Sequence, residues 1–165
     1  MIFMNQDVNS IIEILEKEHN ILKEILELCH SKTKFIVENN ISALIGQATI
    51  EKQKAEEINK LEDLRQGLIA KISNGKSIEI TSLDNLVEFC EGKQKQKLID
   101  IKNSISKVVS EIKRVNDLNL RLIQSSLEYI DFMTNLISSY FTDDTTYQKD
   151  GQNKITKKNL FDVKL

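Results

Sequence analysis

From Leu98 to Tyr140 the chain keeps one three-four spacing: Leu98, Ile101, Ile105, Val108, Ile112, Val115, Asn119, Leu122, Ser126, Tyr129, Met133, Leu136 and Tyr140. A stripe of that period buries one side of a long helix against partner helices, and no proline interrupts it. Two members are polar, Asn119 and Ser126, and burying such a group without hydrogen-bond partners costs roughly 1 to 3 kcal/mol. Val109, Asn116, Ile123, Ile130 and Ile137, spaced by sevens, give the same helix a second face. One face can pack internally while the other binds. The asparagines can equally serve to set helix register, as a buried polar seam residue does.

Upstream, the pattern predicts a helical hairpin. Asp7 is placed to cap a helix over about 7–37, whose inward stripe takes Ile11, Ile14, Leu15, Ile21, Leu22, Ile25, Leu26, Leu28, Cys29, Phe35 and Ile36. Glu13, Lys17, Lys23, Glu24 and Glu27 are left outward, and Glu38-Asn39-Asn40 turns the chain. A second helix over about 41–73 is expected to bury Leu44, Ile45, Ala48, Ala55, Ile58, Leu61, Leu64, Leu68, Ile69 and Ile72, giving an antiparallel pair about 45 to 50 Å long. Gly46 and Gly67 each weaken that helix by about 1 kcal/mol relative to alanine, as a tolerated cost or as a mark of close packing. Asn74-Gly75 is a stop signal, and Ile78 to Ile80 is linker. Ser82 caps a short helix over about 82–91 that ends at Gly92 and covers one end of the bundle. The last helix, about 94–141, is roughly 70 Å long and outreaches the hairpin.

The fold class expected is all-α: an elongated antiparallel helical bundle or coiled coil, with an N-terminal hairpin, a short helix and one long C-terminal helix. Residues 1–141 form one helical domain, and 142–165 are expected as a flexible C-terminal tail. Composition agrees, since proline is absent from 165 residues in which average usage predicts roughly eight. Mixed charges summing to -2 create no field for nucleic acid or an anionic membrane surface. MIFMNQDV is too short and too soon polar for a secretory core, and no apolar run approaches the roughly 18 residues of a membrane span, so a cytoplasmic protein is expected. Only Cys29 and Cys90 are present, with Cys29 on the inward stripe, so a disulfide framework is not expected.

Catalytic chemistry finds little support. Glu16 with His19 and Glu27 with His30 have the Glu-x-x-His spacing of di-iron bundles, but such a site needs its motifs on different helices. These share one helix, separated by about 16 Å of rise, and the chain has no further histidine. No metal site, no cofactor and no catalytic residue is expected, because a phosphate-binding glycine loop and a nucleophile elbow are also lacking. Lys93 to Lys97 solvate a helix start, against the helix dipole.

Three segments carry a family resemblance: EKEHNILKEILEL with the seam acid Glu18, then Leu61-Glu62-Asp63-Leu64-Arg65 before Leu68, then NDLNLRLIQSSLEYI in the long helix. With Thr146-Tyr147 and Gly151 four residues on, their order and spacing from about Val8 to Gly151 resemble the FlgN-like flagellar export chaperones. The resemblance implies a cytoplasmic chaperone that binds the C-terminal helical segment of hook-filament junction (hook-associated) proteins. It would prevent their premature assembly and deliver them to the type III export apparatus. The cargo-binding residues expected are Asn116, Asn119, Leu122, Ile123, Leu127, Ile130, Met133, Ile137 and Tyr140, because a partner's amphipathic helix laid there buries both apolar faces. Tyr147 is the expected export-apparatus docking residue. A weak homo-oligomer is compatible with this role, and the competing function is an unrelated coiled-coil scaffold or self-associating adaptor.

Overall fold

The computed structural model describes residues 2–76, 80 and 82–143, with side chains described for 6–74, 80 and 82–139. Four helices follow one another among the described residues: α1 (Ile2–Val37), α2 (Ile41–Lys76), α3 (Leu83–Phe89) and α4 (Gly92–Asp143). Among the described residues there is no strand. The expected flexible tail lies outside the described residues from 144 onward, and 142–143 belong to α4. Two units divide the chain, Met1–Ser126 and Leu127–Leu165.

In the first unit α1 starts earlier than expected, at Ile2, because no glycine or proline precedes Asp7 to stop it. Asp7 therefore sits within the helix and meets Lys71 of α2 at 2.9 Å instead of capping backbone amides. The far end of α1 turns on two asparagines. Asn39 adopts φ 55°, a left-handed conformation that asparagine tolerates, and its N–H donates to the Ile36 carbonyl (3.1 Å). The Asn40 N–H reaches back to the Phe35 carbonyl (2.9 Å), which completes a Schellman stop. The Asn40 side chain then accepts from the Ala43 N–H at 3.1 Å, so it caps α2.

α1 and α2 run antiparallel, as Lys32 with Glu51 (2.6 Å), Glu24 with Lys54 (2.8 Å), Glu18 with Arg65 (3.3 Å) and Asp7 with Lys71 (2.9 Å) show in order. The expected stripe of α1 is correct, with Ile11, Leu15, Cys29 and Ile36 buried. That of α2 needs correction: Ile45, Ala48, Ala55 and Leu64 are exposed. The inward positions are Leu44, Gln47, Glu51, Lys54, Ile58, Leu61, Arg65, Leu68 and Ile72, a three-four seam that is polar at four places. Gln47 is 4% exposed and donates to the Leu28 carbonyl and to Glu51. Hydrophobic patterning missed this register because polar pairs across the hairpin set it.

α2 runs through Asn74 and Gly75 to Lys76, past the expected stop at Ser73. Ile80 is buried and donates its N–H to the Ser73 hydroxyl (3.3 Å), so it lies against the end of α2. Ser82 caps α3 as expected, accepting from the Asn85 N–H at 3.2 Å. α3 stops at Phe89, before Gly92, and Gly92 instead opens α4 at φ +57°, where a side chain would be strained. Leu86 of α3 is 1% exposed and joins Val8, Ile11, Leu15, Ile72, Cys90 and Leu98 in the apolar core, which thus closes one end of the bundle.

α4 lies parallel to α1, since Gln94 donates to Asn9 (2.9 Å) and, farther along both helices, Asn119 donates to Cys29 (2.9 Å). The first unit is an up-down-up bundle of α1, α2 and the first part of α4, whose outer members must run parallel. At Gly67, and likewise at Gly46, a Cβ would meet nothing within 4 Å. Close packing is therefore not their reason. Gly67→Ala is expected to stabilise the fold by about 1 kcal/mol, seen as a higher urea midpoint at unchanged slope.

Candidate functional site

The second unit presents the end of α4. Leu127, Tyr129, Ile130, Phe132, Leu136 and Ile137 are all exposed there, Tyr129 by 64% and Phe132 by 61%, and Met133 is half-buried. Scattered exposed apolar residues are ordinary, but six within about three helical turns form a continuous patch of the kind that marks interaction sites. Of the expected cargo residues, Leu127, Ile130, Met133 and Ile137 lie here, whereas nothing is described of the Tyr140 side chain and Tyr147 lies outside the described residues. Sequence reasoning placed Tyr129 and Leu136 on the packing seam and passed over Phe132. Their signal was the apolar character of flanks on both sides of Met133.

The remaining expected residues belong to the first unit. Leu122 is half-buried, and Ile123 and Asn116 are exposed. Asn119 is 2% exposed and its amide is used within the bundle: its Nδ2 donates to the Cys29 carbonyl (2.9 Å), and its Oδ1 accepts from the Thr33 hydroxyl (2.6 Å). That satisfies both halves of a buried amide and pins α4 against α1 in one register. α1 ends at Val37, one helical turn past Thr33, so its cover for α4 runs out soon after Asn119. The seam accordingly changes from buried at Val115 and Asn119 to exposed at Ser126. Beside Asn116, burial pushes the Cys29 thiol above its ordinary pKa, and both cysteines are buried thiols.

Two of the segments that carry the family resemblance meet at one ion pair. Glu18 is buried, and the Arg65 Nε donates to its Oε1 at 3.3 Å while the same guanidinium also holds Glu62. Burial raises the Glu18 pKa above its ordinary value and outweighs Arg65, which acts the other way. Because the folded pKa is the higher one, the contribution of Glu18 to stability is full below the ordinary carboxylate range and is lost as pH rises through the raised value. Arg65→Met removes the cation from a buried carboxylate and is expected to cost about 2 to 3 kcal/mol at neutral pH. Urea unfolding should show that cost shrinking as pH falls toward about 4, and Glu18→Gln should abolish the pH dependence.

Elsewhere, a groove of about 390 Å³ opens between α1 and α4 beside His30, Thr33, Lys34 and Val115. Its cations are already engaged, Arg114 with Glu111 (2.6 Å) and Lys34 with Glu38 (3.8 Å). Among the described residues no group of three or more His, Cys, Asp or Glu side chains gathers as a metal ion would need, and no helix is long and apolar enough to cross a membrane.

The family model described as FlgN protein matches residues 1–155. No curated protein and no solved structure matches the chain.

Proposed function

Because the chain belongs to the FlgN protein family, and is thus a flagellar export chaperone, we propose that it binds the C-terminal helical segment of hook-associated proteins. In that role it works in the cytoplasm, keeps the cargo unpolymerised and hands it to the type III export apparatus. The observation that supports this reading is the exposed apolar surface of α4 from Leu127 to Ile137. A cargo segment of this kind is itself amphipathic, so seating it on α4 removes two apolar faces from water together. Burying about 600 Å² of apolar area contributes on the order of 15 kcal/mol gross, most of which is offset by ordering and association. The net affinity is then compatible with release at the export gate.

Titration calorimetry of the full chain against C-terminal peptides of the hook-associated proteins from the same genome tests this. Saturable binding near one to one supports the chaperone reading. Absence of binding to every such peptide, together with a concentration-independent oligomer in light scattering, would favour the self-associating scaffold instead. Docking to the export apparatus is proposed to involve Tyr147. Truncation after Phe141 is therefore expected to reduce cargo export at least severalfold, and export at the full rate would remove Tyr147 from the mechanism.

A further inference from the structure

The arc of apolar side chains in the second unit is too wide for one partner helix. At about 100° per residue, Phe132, Leu136, Tyr129, Met133, Ile137, Ile130 and Leu127 follow one another around about 220° of the helix, with only Thr134 among them. Glu128, Asp131, Asn135, Ser138 and Ser139 fill the rest. A helix that buries one stripe against one neighbour needs a little more than about 100°. This arc is two such stripes side by side: Tyr129, Phe132 and Leu136 on one flank, Leu127, Ile130 and Ile137 on the other, with Met133 between them. Both flanks are exposed to similar degrees, Phe132 by 61% and Ile130 by 53%.

Charge adds a second constraint. From Leu122 to Asp143 the chain has no lysine or arginine, and each flank is bordered by one carboxylate, Glu128 beyond Phe132 and Asp131 beyond Leu127. Among the described residues neither carboxylate has an ion-pair partner. Acidic positions beside an apolar stripe select cationic positions on the facing helix, as flanking charges do in coiled coils. A second copy of this chain fits poorly. Two copies pairing along one flank would leave the other flank of each uncovered, and would bring two like-charged carboxylates to the interface with no cation.

We propose that residues 127–139 accept a partner presenting two helices at once, one on each flank of Met133, with lysine or arginine bordering their apolar stripes. This rests on the reading of α4 as the cargo site, and it specifies the form of the cargo: a hairpin or helix pair, which α4 completes as a three-helix bundle. A single terminal helix would leave half of the arc wet.

The test uses the full chain with p-benzoylphenylalanine placed at Phe132 in one variant and at Ile130 in another. Both side chains are exposed, so the fold tolerates the change. Irradiation in the native cells and mass spectrometry of the adducts locate each partner segment. The expected result is one partner protein attached through two different helical segments, one from each position. Phe132→Ser and Ile130→Ser should each then weaken that partner's binding tenfold or more. Adducts from both positions to one and the same segment would overturn the two-helix form while leaving the chaperone reading intact. Adducts to this chain itself, or none from one or both positions, would overturn it as well. Two segments of a partner that is not a hook-associated protein would uphold the two-helix form and defeat the cargo assignment.

Discussion

Ile130→Asp is expected to weaken hook-associated cargo binding about a hundredfold or more while leaving the fold intact. Ile130 is 53% exposed in the free chain, and exposed substitutions of this kind change stability by about 0.5 kcal/mol or less. In the proposed cargo complex the same position is covered. Burying isoleucine is worth about 1.5 to 3 kcal/mol, and aspartate forfeits that gain and adds a desolvated charge next to Asp131. About 2.8 kcal/mol already corresponds to a hundredfold change in the dissociation constant. Calorimetry reads the loss, and circular dichroism with a thermal scan verifies that helix content and midpoint are kept. Unchanged affinity would move the cargo site off this part of α4.

Leu86→Ala should do the reverse, lowering stability by about 2 to 5 kcal/mol without touching the exposed face of α4. α3 has only seven residues, far too short to hold its helical form alone. What keeps it is the Ser82 cap and the insertion of Leu86 among Ile11, Ile72 and Leu98, where it is 1% exposed. Removing the side chain opens a cavity between four elements at the end where the apolar core is concentrated. Against a total of about 5 to 15 kcal/mol this is a large fraction, visible as a drop of roughly 10 °C in the thermal midpoint. Phe89→Ala is the control: Phe89 belongs to the same short helix but is 42% exposed, so its loss should cost well under half as much. Equal effects would mean that α3 is held by its general apolar character and not by Leu86.

The amino-acid sequence by itself determined the helices and much of the packing. Period alone gave the inward stripe of α1, because its apolar residues are dense enough to outvote any other face, and the Asn39-Asn40 turn and Ser82 cap follow from local backbone chemistry. The apolar character of the end of α4 was equally a property of the residues, as was the family resemblance. The tertiary structure decided the rest. α2 turns Gln47, Glu51, Lys54 and Arg65 inward in place of Ile45, Ala48, Ala55 and Leu64, because each finds a polar or charged partner on α1 or a neighbouring turn, and hydrophobicity does not encode such pairing. Asp7 serves an ion pair instead of a cap for the same reason. Asn119 and Ser126 lie on one seam with one period, and the end of α1 at Val37 comes between them. Where α1 lies alongside, the polar seam residue is buried and hydrogen-bonded. By Ser126 the same seam is open to water, since a repeat specifies which side of a helix is to be covered and the neighbouring helices determine how far along it the cover extends.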